Sequence, residues 1–209
     1  MIAPTAYPFF LLASLALLVI PGPAVLYVIA RSVDQGRTAG MASALGLGIG
    51  NFVQVLAATA GLSALVLASP LAFNVVKYLG AGYLILLGAR KMLSRREEAA
   101  EAGESAPRSL RQVFVQGVVV NTLNPKVALF FLAFLPQFVD PAHNPAGQVF
   151  FLGASFATLG ICTDALYGIL GGSAGKWLKQ GRHFAWFERW FAGAVFIILG
   201  VITALTSRT

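Results

Sequence analysis

Long stretches of this sequence carry no charged side chain, and that feature constrains the fold more than any other. Only 11% of the 209 residues are charged and 57% are hydrophobic, whereas soluble globular proteins have about 25% charged residues. About twenty consecutive apolar residues form a helix long enough to cross the roughly 30 Å hydrocarbon layer of a bilayer. The sequence therefore predicts an integral membrane protein, with the lipid bilayer as a partner.

Six apolar runs are long enough to be transmembrane helices. We place them at residues 7–30, 39–67, 71–93, 113–136, 147–172 and 184–205. The predicted fold class is an all-α membrane protein with three spans in residues 1–93 and three in residues 113–209. Residues 94–112 have mixed charges and no apolar face, so they are predicted to form a cytoplasmic linker.

The positive charges give the orientation of the spans. Twelve of the 15 Lys and Arg residues flank the first, third and fifth connections. The positive-inside rule places those connections in the cytoplasm and both termini outside. The net charge of +7 is thus explained by topology, and nucleic acid is not expected as a partner.

The two halves of the sequence resemble each other. "KYLGAGYLILLGARKML" from Lys77 and "RWFAGAVFIILGVITAL" from Arg189 share a basic start, an aromatic position, small residues and an "LG" pair, and Pro23 corresponds to Pro125. Three spans per half make the halves face opposite ways. Such inverted repeats are typical of secondary transporters, which bind substrate near mid-membrane where helices are broken.

Residues that break helices lie inside two of the predicted spans. Pro21, Gly22 and Pro23 lie inside the first span, where the prolines remove backbone donors and disfavour helix at the preceding residue. Asn124 and Pro125 lie inside the fourth, in the order of an N-cap followed by a first helical residue. We therefore predict a break in each span.

These breaks predict a binding site. A half-helix N-terminus has free N–H groups and a positive dipole end that suit a carboxylate. Lys126 adds a positive charge beside the second break, and Asn121 adds an amide. A proline can also bend a membrane helix for packing alone, but matched breaks in both halves favour a function.

One carboxylate, Asp164, lies deep in the fifth predicted span. A charge at mid-bilayer costs about 2.5–3.5 kcal/mol, so Asp164 is predicted to be partnered, protonated or facing water. It is our candidate for proton coupling, and the alternative is a permanent ion pair with Lys126. In the repeat alignment Gln54 corresponds to Asp164, and Asn51 lies close by. Both amides are further candidates for binding substrate.

Small residues recur at three- or four-residue steps along the second and fifth spans. They are Ala42, Gly46, Gly50, Ala58 and Gly61 in one, and Gly153, Ala157, Gly160, Gly168, Gly171 and Gly175 in the other. Such stripes face other helices rather than lipid. They could pack within one protomer or between two, so a homo-oligomer stays open.

Several classes of protein lack the residues they need. Cys162 is the single cysteine and the two histidines are far apart, which disfavours disulfides, thiol-based electron transfer and Cys/His metal sites. The spans carry no histidine that could act as a base, so an enzyme is not expected. No metal or cofactor is predicted.

Three stretches resemble the LysE/RhtB-type amino-acid exporters, the lysine and threonine/homoserine efflux family. They are "IPGPAVLYVIARSVDQGRTAGMASALGLGIGN", "KYLGAGYLILLGARKML" and "NTLNPKVALFFLAFLPQFVD". The resemblance covers about residues 7–205. It implies a multi-pass protein of the bacterial inner membrane that exports amino acids or close derivatives, driven by the proton gradient. It also implies that the PGP and NPK residues lie at the family's motif positions.

The sequence departs from that family's pattern at a few positions. Members often carry Thr or Ser before the PGP and Asn after it, where this chain has Ile20 and Ala24. Many carry Asp and His where this chain has Asn51 and Gln54. If those groups carry protons in relatives, coupling in this chain either rests on Asp164 or is absent.

The sequence thus predicts a secondary-active exporter of an amino-acid-like substrate, with alternating access around a mid-membrane site. Rocking of one half against the other would expose that site to each side in turn. The alternatives are a passive channel and an exporter of a small metabolite other than an amino acid.

Overall fold

The computed structural model describes residues 6–68, 70–93, 108–178 and 182–205, and within these ranges the chain is helical apart from short connections. The α-helices are α1 (Ala6–Val19), α2 (Pro23–Gln35), α3 (Arg37–Ala68), α4 (Pro70–Leu93), α5 (Leu110–Thr122), α6 (Pro125–Leu129), α7 (Pro145–Leu178) and α8 (Arg182–Leu205). A π-helical turn (Phe130–Phe134) and a 3₁₀ turn (Leu135–Phe138) follow α6. The predicted all-α class is confirmed for these residues.

Length and apolar composition identify some of the predicted spans within the described residues. Three stretches are long and apolar enough to cross a membrane, namely Arg37–Gly61, Leu110–Phe138 and Pro145–Gly171. The bent pair of α1 and α2 makes a fourth if it is counted as one span. In α8, the stretch Gly193–Leu205 is apolar and ends a helix of 24 residues, Arg182–Leu205. The chain is therefore a multi-pass membrane protein, and the number six stays a prediction.

Most of the predicted linker lies outside the described residues. Its end is described, and there α5 begins at Leu110, inside the range assigned to the linker. The hydroxyl of Ser109 accepts a hydrogen bond from the N–H of Gln112, and the Gln112 side chain accepts one from the N–H of Ser109. This capping box starts the helix three residues earlier than the apolar run alone indicates.

Most described positions of the small-residue stripes lie between helices, as predicted, but Gly61 is exposed and an added methyl group there would meet nothing within 4 Å; the surroundings of Gly175 are not among those described. Gly40 of α3 meets Gly168 of α7 so closely that a methyl group on Gly40 would lie 2.9 Å from the Gly168 backbone. One on Gly46 would lie 2.2 Å from the carbonyl oxygen of Phe114 in α5. Because no side chain fits at these points, α3 approaches α5 and α7 backbone to backbone.

Helices α4 and α8 form a second close pair. A methyl group on Gly88 would lie 2.7 Å from the side chain of Ile197, and one on Gly200 would lie 2.7 Å from that of Ile85. Ile85 and Gly88 follow one another along α4, while their partners Gly200 and Ile197 come in the reverse order along α8, so the two helices run antiparallel.

An aromatic cluster forms the largest part of the buried core beside the helix breaks. Phe10, Phe130, Phe134 and Phe156 are each fully buried, and the ring centres of Phe130 lie 5.1 Å from Phe134 and 5.2 Å from Phe156. The π-helical turn carries two of these rings inward. The cluster thus closes the space between α1, α7 and the segment after α6.

A polar turn separates the 3₁₀ turn from α7. The carboxylate of Asp140 accepts hydrogen bonds from the N–H of Ala142 and from the ring of His143. These bonds lower the pKa of Asp140 from its ordinary value, the bond from Ala142 most of all. Asn144 has a positive φ of 41° and its side chain accepts from the N–H of Gly147 in the first turn of α7.

Candidate functional site

The first helix break lies between α1 and α2, where the sequence predicts it. Helix α1 ends at Val19, α2 begins at Pro23, and the two helices are bent by 52°. Gly22 is the N-cap of α2 and, having no side chain, gives no capping hydrogen bond. The N-terminus of α2 is therefore left without a side-chain cap.

The second break lies between α5 and α6, and its details also match the prediction. Helix α5 ends at Thr122, Asn124 is the N-cap of α6, and Pro125 is its first residue. The side-chain oxygen of Asn124 accepts a hydrogen bond of 3.1 Å from the N–H of Lys126. This N-terminus, unlike that of α2, is capped by the chain's own amide.

Lys126 connects the two breaks. Its ammonium nitrogen Nζ donates a hydrogen bond of 2.7 Å to the carbonyl oxygen of Ile20, the residue that follows α1. Carbonyls at a helix C-terminus carry a partial negative charge that stabilises a cation. Lys126 is thus bound to the end of α1 in this conformation while it stands at the start of α6.

Gln54 stabilises the second break. Its amide nitrogen donates to the carbonyl oxygens of Asn121 at 2.6 Å and Asn124 at 3.2 Å. Asn121 in turn donates through Nδ2 to the carbonyl oxygen of Leu47 at 2.7 Å. Gln54 does not line the cavity described next, so the structure places it behind the site instead of in it.

A small cavity of about 20 Å³ lies between the two breaks, with room for about one water molecule. Its polar lining comes from Asn51, Asn121, Asn124, Lys126 and Asp164, with Gly22 at its edge. Its apolar lining is Leu17, Leu18, Ala24, Val25, Val127 and Phe156. The structure thus gathers predicted residues from five helices or helix caps around one small space.

Two side chains in this cavity are placed to bind a cation or a hydrogen-bond donor. Asp164 is buried, with only 4% of the residue exposed. Asn51 is 1% exposed, and its side-chain oxygen has no hydrogen-bond partner in the structure. A buried acceptor without a donor is unfavourable by about 1–3 kcal/mol, so a donor entering the cavity would be stabilised there.

An open cleft of about 490 Å³ lies on the other side of Gly22, Asn124 and Lys126. The remaining lining residues are Ile20, Pro21, Pro23, Leu26, Tyr83, Leu87, Arg90, Pro125 and Phe196. The volume is in the range of small-molecule sites. Three residues line both spaces, so the cleft and the small cavity lie next to each other.

The structure shows which of the predicted site residues lie together. Pro21, Gly22, Pro23, Asn51, Asn121, Asn124, Pro125, Lys126 and Asp164 all line one or both spaces. Sequence reasoning missed the residues that α4 and α8 contribute to the cleft. A signal existed in α4, where Tyr83, Leu87 and Arg90 have helical spacing on one face, but Arg90 was read only as a topology signal.

Comparison with known proteins identifies the class. Residues 15–207 match the model of the LysE type translocator family, so the chain belongs to that family. It is a transporter and not an enzyme.

Several bacterial proteins are similar to this chain. The chain is 30% identical over 193 residues to a protein named leucine efflux protein from Enterobacter sp. (strain 638), covering 90% of each chain. It is 32% identical over 146 residues to the leucine efflux protein of Salmonella choleraesuis (strain SC-B67), covering 70% of this chain and 69% of the relative. That of Klebsiella pneumoniae is 26% identical over 192 residues, 91% of each chain. No solved structure matches the chain.

Proposed function

We propose that this protein is a secondary-active exporter of a large aliphatic amino acid such as leucine, located in the bacterial inner membrane and driven by the proton gradient. The family and the names of the bacterial relatives support an amino-acid substrate. The observation that carries the proposal is the small cavity between the two helix breaks, lined by five polar side chains and next to a larger, mostly apolar cleft.

The two spaces match the parts of an aliphatic amino acid. The carboxylate would meet Lys126 and the uncapped N-terminus of α2. The ammonium would enter the small cavity, where the oxygens of Asp164 and Asn51 would accept its hydrogen bonds. The aliphatic side chain would remain in the cleft. Gln54 and the capped N-terminus of α6 would hold the site in shape without touching the substrate.

The packing of α4 against α8 supports the inverted repeat. In the repeat alignment Gly88 corresponds to Gly200, and Ile85 corresponds to Ile197. Each glycine packs on the isoleucine of the other helix, at the same 2.7 Å for an added methyl group. Exchanging the helices therefore reproduces the same contacts, as a two-fold axis in the membrane plane would require.

Contacts between distant segments support the proposed topology of six spans with both termini outside. The side-chain nitrogen of Gln35, at the end of α2, donates to the carbonyl oxygen of Arg108, just before α5. Gly40 near the start of α3 meets Gly168 in the second half of α7. The ends that border the basic connections therefore lie on one side of the protein, which we assign to the cytoplasm.

This conformation fits an inward-open state. Along the proposed topology, the aromatic cluster of Phe10, Phe130 and Phe134 lies between the cavity and the outside. The cleft instead extends along α4 to Arg90, near the cytoplasmic end of that helix. A substrate could therefore enter from the cytoplasm, while the path outward is filled by aromatic rings.

The helix pairs favour a particular moving part. The predicted halves interlock, because α3 packs on α7 and α4 on α8 at glycine contacts that leave no room for sliding. We therefore propose that the α4–α8 pair moves as one body against α2, α3, α5 and α7. The cleft lies between those two groups, and closing it would seal the cytoplasmic side.

The test is export by purified protein in liposomes with and without an imposed pH gradient. Wild-type protein should transport leucine against its concentration gradient when the pH gradient is present. Asp164→Asn should decrease the rate of this uphill transport by about 100-fold or more. Asp140→Asn, the same exchange in the exposed turn, should transport normally. If Asp164→Asn is driven by the pH gradient as well as wild type, Asp164 has no part in coupling.

The same preparation separates the alternatives. A channel would give flux that neither saturates with leucine nor runs uphill. An exporter of another small metabolite would leave leucine untouched, and a mixed pool of metabolites loaded into the liposomes would then identify what leaves.

A further inference from the structure

The cleft contains a second cation, Arg90, that the proposed transport cycle has not used. Helix α4 lines the cleft with Tyr83, Leu87 and Arg90. Leu87 and Arg90 follow Tyr83 by four and seven residues, so the three side chains lie on one face of the helix. Arg90 is exposed, whereas Lys126 at the inner end of the cleft is half-buried and hydrogen-bonded to Ile20. The cleft therefore has one cation at the mouth and one at its inner end.

The space between these cations is apolar. Leu26 of α2, Leu87 of α4 and Phe196 of α8 line the cleft. Seven residues along α4, from Tyr83 to Arg90, span about 10 Å, so the cleft extends along this helix for more than the length of a carboxylate. An amino acid bound at the mouth would place its side chain on the leucines.

We propose that Arg90 binds the carboxylate of the incoming amino acid at the cytoplasmic mouth, while Leu26 and Leu87 select for an aliphatic side chain. This rests on the proposed function. The guanidinium group pairs with a carboxylate through two parallel hydrogen bonds. Because the Lys126 ammonium already bonds the Ile20 carbonyl, Arg90 gives the substrate an anion site before Lys126 exchanges its partner. The substrate then moves inward and its ammonium enters the small cavity.

Arg90 also counts among the residues that orient the protein in the membrane, so its two roles must be separated. Arg111 offers a matched control. It is exposed and flanks the same predicted cytoplasmic connection, but it does not line the cleft. Arg90→Gln and Arg111→Gln remove the same charge from the same side, and Arg90→Lys keeps the charge without the bidentate geometry.

The experiment is uptake of radiolabelled leucine into inside-out membrane vesicles, which expose the cytoplasmic face. For Arg90→Gln we expect KM to rise about three- to fivefold, the range of an exposed ion pair, with kcat nearly unchanged. Arg90→Lys should be intermediate and Arg111→Gln should match wild type. Equal KM values for Arg90→Gln and Arg111→Gln would overturn the role of Arg90.

A substrate analogue tests the chemistry. Leucinol has the same side chain and ammonium group but no carboxylate. Inhibition of leucine uptake by unlabelled leucine should weaken in Arg90→Gln, while inhibition by leucinol should not. If both weaken equally, Arg90 does not act through the carboxylate and the proposal is wrong. Wild-type vesicles that take up no leucine would instead contradict the proposed function itself.

Discussion

The two helix breaks are similar in sequence but differ in structure. Each has a proline at the first position of the following helix. The second break is held by side chains, because Asn124 caps α6 and Gln54 bonds the carbonyls before it. The first has no side-chain cap at Gly22, and the ammonium of Lys126 bonds its Ile20 carbonyl.

This difference assigns separate tasks to the two breaks. A break whose polar groups are bonded within the protein is a fixed part of the structure. A break whose N–H groups lack a cap, beside a charge that can change partner, can bind an anion and respond to it. We therefore expect substitutions at the second break to lower stability and substitutions at the first to alter transport.

Lys126 joins both breaks, and its replacement should have the largest effect among substitutions at the breaks. Lys126→Met keeps much of the side-chain volume but removes the charge, so leucine transport should decrease by about 30-fold or more, the scale expected when one partner of a buried charge pair is lost. Lys126→Arg should keep part of the activity. Transport is measured in liposomes at equal protein content. Normal transport by Lys126→Met would exclude the ammonium from substrate binding.

Replacing Gln54 should lower the stability of the protein more than it lowers transport. Gln54→Leu leaves the carbonyls of Asn121 and Asn124 without this donor inside the protein, and we expect a loss of about 1–3 kcal/mol in the free energy of unfolding. Thermal unfolding in detergent measures the change. The exposed Gln112 serves as a control, since Gln112→Leu should cost less. A Gln54→Leu protein as stable as wild type would show that the second break needs no such support.

Substitution of Gly22 should have the smallest effect, and it tests the α2 N-terminus alone. Gly22→Ser adds a hydroxyl that can cap α2, so stability should be equal or a few tenths of a kcal/mol higher. Leucine transport should decrease a few-fold because the hydroxyl competes with the substrate carboxylate for the N–H groups. A methyl group at Gly22 would lie 3.4 Å from the nearest Lys126 atom, so Gly22→Ala is a tolerable control. Equal transport by both variants would mean that the α2 N-terminus binds no substrate.

The sequence predicted the parts of the site that depend on local chemistry. Proline geometry fixed both breaks, and the Asn-Pro order identified the cap of α6. The task of Gln54 was not predictable, because its partners are backbone carbonyls 67 to 70 residues away along the chain. The cleft residues Leu26 and Phe196 were missed for the same reason. An apolar residue in a membrane helix has the same composition signal whether it faces lipid, core or substrate.

The Ile20 carbonyl accepts a hydrogen bond from the Lys126 ammonium and so competes with the substrate carboxylate for that ammonium. In the proposed exporter, a leucine carboxylate that draws the ammonium away from that carbonyl has to replace its bond, so part of the intrinsic affinity is spent and the apparent Kd rises. A weak site remains nearly empty at ordinary cytoplasmic concentrations and fills only when the amino acid accumulates. The Ile20 carbonyl oxygen would thus help to set the cytoplasmic concentration above which the substrate is exported. Below that concentration the amino acid would stay available for protein synthesis.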